Sequence, residues 1–315
     1  MSQPEMLEEQ IRELRAQLDA KTRIATRAMA TYQQRALQME EHAAELRAAN
    51  EEIRRVNARL SETLQTLEER DRRITSDLEQ ARRFQQRILP SLPASKQARA
   101  AVLYRPAELV GGDVYDVWER SRGVFRFFLA DATGHGVQAA LRTMLLKAEY
   151  DRVKLEALTP EQALVSLNAR IAAAYPGLEM QCTATCFDLI TAGDGAARVR
   201  YATAAHPPLL VLHGSEVRSI YQPGPFIGVV PEIELQAVEL EVAPGDRLLA
   251  YSDGLEDQLN ASGDEFGIER VTAAVRDRSL ALEDAVARLV SEWETFLGAN
   301  RPDDDATLIA VEHLG

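Results

Sequence analysis

The sequence predicts an α+β domain preceded by one long helix, and three observations carry that reading. Residues 5–89 contain neither proline nor glycine and are rich in Glu, Arg, Gln, Ala and Leu, all comfortable in helices. The prolines of Ile88-Leu89-Pro90-Ser91-Leu92-Pro93 then stop the helical pattern, because proline lacks a backbone donor and biases the residue before it out of the helix. Farther on, strand-like runs follow one another between residues 178 and 252 with short links and no helix between them. Such an order argues for antiparallel sheet rather than a doubly wound parallel one.

The long helix carries a heptad. Every seventh residue from Ile11 gives Leu18, Ala25, Tyr32, Met39, Leu46, Ile53, Leu60, Leu67, Ile74, Ala81 and Ile88, an unbroken register. The position three residues later is leakier, with Lys21, Arg35, Arg70 and Asp77 among Leu14, Val56 and Phe84. A seam of one strict and one leaky position fits a coiled coil of modest stability. At a rise of about 1.5 Å, some eighty residues span roughly 120 Å, more than one domain of this size can cover. The expectation is therefore a homodimeric coiled coil over 1–90, with an antiparallel hairpin as the alternative, and a catalytic-sized domain over 91–315.

Within that domain, strand-like runs fall at 101–109, 123–130, 180–190, 197–204, 208–213, 235–242, 246–251 and 306–313. Helical patterns fall at 136–156, 160–174, 268–277 and 281–297. Ala192-Gly193-Asp194-Gly195, His213-Gly214 and Pro244-Gly245-Asp246 read as the turns between strands.

Charge narrows the function classes. The chain carries a net charge of -13. Residues 1–90 balance 16 basic against 16 acidic side chains, so the totals of 36 and 49 leave 20 against 33 for residues 91–315. A field of that sign repels polyanions, which speaks against nucleic acid as a partner. Cys182 and Cys186 lie inside a strand-like run and are too few for a structural zinc site or a disulfide framework. No apolar signal core and no run of eighteen apolar residues is present. A cytoplasmic protein without membrane insertion is the expectation.

Four short acidic motifs carry the chemistry: Gly111-Gly112-Asp113 with Tyr115-Asp116, Asp131-Ala132-Thr133-Gly134-His135-Gly136, Tyr251-Ser252-Asp253-Gly254 and Asp303-Asp304-Asp305. Phe127-Phe128-Leu129-Ala130 precedes the second, Leu248-Leu249-Ala250 the third, and Thr307-Leu308-Ile309-Ala310-Val311 follows the fourth. Taken singly, each is an ordinary turn signal. Carboxylates at several strand ends, however, can converge in space, and an oxygen-only set suits Mg2+ or Mn2+. Hard cations shared by such carboxylates orient a phosphate and make water nucleophilic near neutral pH. The chain has no G-x-S-x-G elbow and no G-x-x-x-x-G-K-[ST] loop to supply another mechanism.

These motifs, together with Arg105-Pro106-Ala107-Glu108-Leu109-Val110, Ala204-Ala205-His206-Pro207-Pro208, Gly224-Pro225-Phe226-Ile227-Gly228 and Gly263-Asp264-Glu265-Phe266-Gly267, occur in the order seen in one known group. The chain resembles the bacterial sporulation-stage-II-E/RsbU-like branch of the PPM (PP2C-like) serine/threonine phosphatases over about residues 80–314. The resemblance implies an αββα sandwich of two antiparallel sheets, two Mn2+ or Mg2+ ions, and hydrolysis of phosphoserine or phosphothreonine on a protein. Carried over position by position, Asp131 would bridge the ions, Ala132 would offer its carbonyl, and Asp113, Asp253 and Asp304 would complete the ligands. The partner it implies is a phosphorylated STAS-domain anti-sigma-factor antagonist as substrate; the coil entering the catalytic domain points separately to an upstream regulator that binds it. Ala205 stands where the branch often has glycine, and Ser252 where it often has threonine.

Arg105 is the nearest basic candidate for the phosphoryl group, an arginine fork matching phosphate well. Eukaryotic relatives have a histidine two residues after the bridging Asp; here that residue is Thr133. His135 is read either as orienting its loop or as a histidine bonded within a glycine turn, and His206 as structural. Two other functions compete: a catalytically silent coiled-coil scaffold or partner-switching adaptor, and a metal-dependent phosphodiesterase. The four intact Asp residues weigh against the first, and the scattered histidines against the second.

Overall fold

The computed structural model describes residues 3–178, 180–192 and 195–315. The turn expected at Gly193-Asp194 lies outside them. Residues up to Ile74 form one compact unit and Thr75–Gly315 the other. Helix α1 runs over Gln3–Ile88 and ends two residues before Pro90. Its strict heptad side chains, from Ile11 to Ile74, are 44–73% exposed wherever they are large.

The second unit then follows the order β1 (Ala98–Arg105), β2 (Asp113–Ser121), β3 (Val124–Ala132), α2 (Gly136–Val153), α3 (Pro160–Ala174), β4 (Cys182–Thr191), β5 (Ala197–Ala204), β6 (Leu209–His213) and β7 (Glu216–Ile220). It closes with β8 (Val238–Val242), β9 (Arg247–Tyr251), α4 (Asp253–Glu256), α5 (Ile268–Arg276), α6 (Leu282–Leu297) and β10 (Ala306–His313). One five-stranded sheet has the order β1-β10-β9-β6-β7 and the other β2-β3-β4-β5-β8. Every pairing in both is antiparallel.

Side-chain alternation builds four layers from these strands. Phe127, Leu129, Phe187 and Tyr201 of one sheet meet Val211, Leu248, Ile309 and Val311 of the other between the sheets. On the outer face of the β2–β8 sheet, Phe128, Ala130, Ala184 and Cys186 pack under Leu146 and Tyr150 of α2 and Leu164 and Leu167 of α3. The outer face of the other sheet buries Leu249, Tyr251 and Leu308 against Val271 of α5 and Leu289 and Trp293 of α6. Both faces of each sheet are covered, which is why β3 and β10 read as continuous apolar runs. The αββα sandwich expected from the resemblance is the observed architecture.

Several elements depart from the sequence expectation, among them the short helix α4. β1 begins at Ala98 and ends at Arg105, freeing Pro106–Leu109 to bend toward the acidic motifs. β2 and β7 were not expected as strands. β7 is an edge strand whose side chains are almost all exposed, so no apolar run marks it.

Candidate active site

The strand pairing brings the first two motifs together directly. Asp113 opens β2 and stands opposite Asp131 near the end of β3. Asp253 follows β9 as the first residue of α4, while Asp304 and Asp305 precede β10, the neighbour of β9. Residues distant in sequence thus meet at one edge of the sandwich.

Close backbone approach is built in with glycine. A Cβ on Gly254 would lie 2.4 Å from the Asp305 carbonyl oxygen and 3.0 Å from Asp304 Cβ. Any larger residue would force the Asp253 turn away from the Asp304-Asp305 segment. Gly112 does the same between the other two motifs: its carbonyl accepts from Ala132 N at 3.0 Å, and a Cβ there would meet the Ala132 carbonyl at 2.9 Å.

Hydrogen bonds then fix the buried carboxylates. Asp113 is 1% exposed; its Oδ2 accepts from Ser252 Oγ at 2.7 Å and Thr307 Oγ1 at 2.5 Å. Its Oδ1 is buried with no partner among the described residues. Asp305 accepts from Ala107 N at 2.7 Å through Oδ1 and from Gly112 N through Oδ2, tying the Ala107–Gly112 loop to the start of β10. Behind that loop, Gln85 of α1 donates from Nε2 to the Gly111 carbonyl at 2.7 Å and accepts from Gly111 N at 3.1 Å.

The cluster strains against its own charge. Burial, with Asp131 and Asp305 adding, pushes the Asp113 carboxyl well above the usual range. Asp131 is pushed up to about 8, first by burial and then by Asp253, Asp304 and Asp305. Asp253 and Asp305 are raised chiefly by burial, and so is Asp304, which the hydrogen bond from Asp305 N at 2.8 Å pulls partly back. Five carboxylates therefore share one field that calls for cations. Donor type and the orphaned Oδ1 of Asp113 fit hard divalent ions. Among the described residues, no three His, Cys, Asp or Glu side chains close to the spacing of a finished ligand shell.

The other candidates lie as follows. The Arg105 guanidinium turns to Glu294 of α6, with Nε 3.4 Å from Oε1, and to the Tyr104 carbonyl. His135 is exposed, with Nδ1 2.9 Å from Glu108 Oε1. His206 is buried against Thr183 Oγ1 at 2.7 Å, and burial lowers its pKa to about 3, so it stays neutral. Cys182 and Cys186 are free and buried in β4, their thiols pushed up to about 12.

Sequence reasoning passed over Asp305, Ser252, Thr307 and Gln85 as holders of the site. The Asp triplet signalled Asp305 without saying which member faces inward. Gln85 gave no signal, because one more polar residue on a helix full of them is unremarkable until its neighbour is known.

Residues 121–314 match the family described as stage II sporulation protein E (SpoIIE). The chain is 27% identical over 185 residues to the phosphoserine phosphatase RsbP of Bacillus subtilis (strain 168), covering 58% of this chain and 45% of that protein. It is 23% identical over 206 residues to the phosphoserine phosphatase RsbU of the same organism, covering 63% and 59%. It thus spans about half the length of these curated relatives. The fold is similar to that of the SiaA-PP2C domain of Pseudomonas aeruginosa, with a TM-score of 0.66 and 23% identity over 77% of this chain and 98% of that one.

Proposed function

We propose, from the premise that this chain belongs to the stage II sporulation protein E (SpoIIE) family, that it is a metal-dependent protein serine/threonine phosphatase. The observation that carries the reading is the convergence of Asp113, Asp131, Asp253, Asp304 and Asp305 at one edge of the sandwich, through the β2–β3 pairing, the Asp305 bond to Gly112 and the close approach of Gly254 to Asp304 and Asp305. Asp113, Asp131, Asp253 and Asp304, with the Ala132 carbonyl, are the groups that would hold two Mn2+ or Mg2+ ions. Bound ions of this kind supply positive charge that orients phosphate oxygens and acidifies an attacking water.

The chain's own residues do the positioning. Ser252 and Thr307 hold Asp113 in one rotamer, so its free Oδ1 points to a fixed place. Asp305 holds the Gly112 loop in register with Asp131. The phosphoprotein we assign is a small STAS-domain anti-sigma-factor antagonist, the class implied by the sequence resemblance, met in the cytoplasm.

Regulation is assigned to α1. Its exposed apolar stripe from Ile11 to Ile74 suits a coiled coil with a second copy, and the same helix ends on Gly111 through Gln85. An upstream regulator that binds the coil could thereby reach the Asp113 loop. Among the described residues no helix is long and apolar enough to cross a membrane.

Phosphate release from a phosphoserine protein in Mn2+ tests the reading. Activity lost both to a chelator and to Asp131→Asn is expected. Turnover that survives both would remove the carboxylate cluster from the mechanism.

A further inference from the structure

A cavity of about 420 Å³ opens along the flanks of three acidic motifs. Ala107 to Val110, just ahead of Gly111, form one side; His135, in the turn after Asp131, forms another; Arg301 to Asp303, just ahead of Asp304, form a third, and Leu78 of α1 also lines it. A phosphoserine held at the carboxylates would therefore have this cavity beside it.

The charged groups facing the cavity are already partnered, with one exception. Glu108 meets His135 at 2.9 Å. Asp303 accepts from Gln258 Nε2 at 3.1 Å, and Gln258 Oε1 accepts from Asp303 N at 3.1 Å, so the buried Gln258 pins this loop from beneath. Arg301 is exposed on the pinned loop and, among the described residues, has no hydrogen bond or ion pair. An unpartnered guanidinium therefore lines the cavity whose other walls flank the acidic motifs. Arg105, the candidate from sequence, is already engaged by Glu294.

We infer that Arg301 is the residue that grips the phosphoryl oxygens of the substrate, reaching them from the cavity side. A planar fork of donors matches two phosphate oxygens. The assignment rests on the phosphatase reading above. It makes Arg301 a substrate-contact residue whose removal weakens binding more than turnover.

Two measurements on the full chain test it. In Mn2+, Arg301→Ala should raise KM for an aryl phosphate, and the inhibition constant of inorganic phosphate, by about tenfold, with kcat within about twofold, as expected for one charge-assisted contact at an exposed site. Arg301→Lys should recover part of the loss, and Arg105→Ala should have the smaller effect. An unchanged KM in Arg301→Ala, or a larger effect of Arg105→Ala, overturns the assignment. So does a loss seen with a phosphoprotein but not with the aryl phosphate, which would place Arg301 on the polypeptide instead. The second measurement needs no turnover: phenylglyoxal modification, followed residue by residue by mass spectrometry. Inorganic phosphate with Mn2+ should slow modification of Arg301 several-fold and leave Arg105 unchanged. Protection in a protein that releases no phosphate would keep the inference and remove the phosphatase reading; turnover without protection would do the reverse.

Discussion

The side chain of Gln85 closes a two-point clamp on the backbone of Gly111, donating to its carbonyl at 2.7 Å and accepting from its N–H at 3.1 Å. Gly111 is two residues from Asp113, and Gly112 N is held by Asp305. The last turns of α1 are therefore joined to the carboxylate cluster through one peptide unit.

Gln85→Ala leaves both backbone polar groups of buried Gly111 short of partners, each costing about 1–3 kcal/mol if unmet; Thr143 Oγ1, at 3.4 Å from the Gly111 carbonyl, replaces only a weak share. The expected outcome is Mn2+ affinity weakened by about tenfold, roughly 1.4 kcal/mol, with activity falling in parallel at limiting metal. Mn2+ titration by calorimetry checks it, and unchanged affinity would uncouple α1 from the cluster.

Ala205 is the one non-glycine residue with positive φ among those described, at 51°. It precedes the buried His206, whose ring meets Thr183, the β4 partner of Asp131. A left-handed alanine costs about 1–2 kcal/mol, part of which a glycine returns through its own unfolded-state freedom. Ala205→Gly should therefore raise stability by about 0.5–1 kcal/mol, seen as a melting temperature higher by about 1–4 °C for a domain of this size.

How much of this was legible in sequence depended on whether a residue's meaning was local. The heptad of α1, the proline stop and the apolar run of β3 are local, and they predicted the elements that formed. β2 was not, because its polar Asp116 is buried at 1% and answered by Lys147 and Lys154 of the α2 segment, partners thirty and more residues away. Arg105 illustrates the converse: its position suggested phosphate, but Glu294, distant in sequence, decides where its side chain lies. The four acidic motifs could be gathered only by their resemblance in order, since the β2–β3 register and the β9–β10 neighbourhood that join them are tertiary facts.

The raised carboxyl of Asp131 gives a pH dependence with a definite sign. Its pKa is about 8 in the fold against 3.8 for the free side chain. The folded chain thus holds a proton that the unfolded chain has lost, and this group's stabilising contribution, complete below about pH 4, is lost as pH rises toward 8. Mn2+ competes for the same oxygens, so the gap in melting temperature between metal-loaded and chelated protein should widen from pH 5 to pH 8. At a hundredfold excess over Kd the metal contributes about 2.7 kcal/mol. Thermal unfolding at both pH values checks this, and a gap that stays constant would detach Asp131 from the metal.

A final prediction concerns the phase of the coil. The strict positions Leu60, Leu67 and Ile74 lead toward Gln85, and at the coiled coil's 3.5 residues per turn a seven-residue insertion after Leu60 preserves their phase whereas a four-residue insertion shifts the seam by about 50°. Pairing between two copies would then hold the upper and lower heptads out of register, and the mismatch would be relieved where the helix is least constrained or passed on to Gly111. We expect the seven-residue insertion to retain the dimer and its rate of phosphate release. The four-residue insertion should lower that rate several-fold at limiting Mn2+ and little at saturating Mn2+, because the loop carrying Asp113 is what moves. Sedimentation equilibrium separates the two ways the idea can fail. A four-residue variant that is dimeric and fully active would show that torque in the coil does not reach the site, and a monomeric wild type would remove the coil itself.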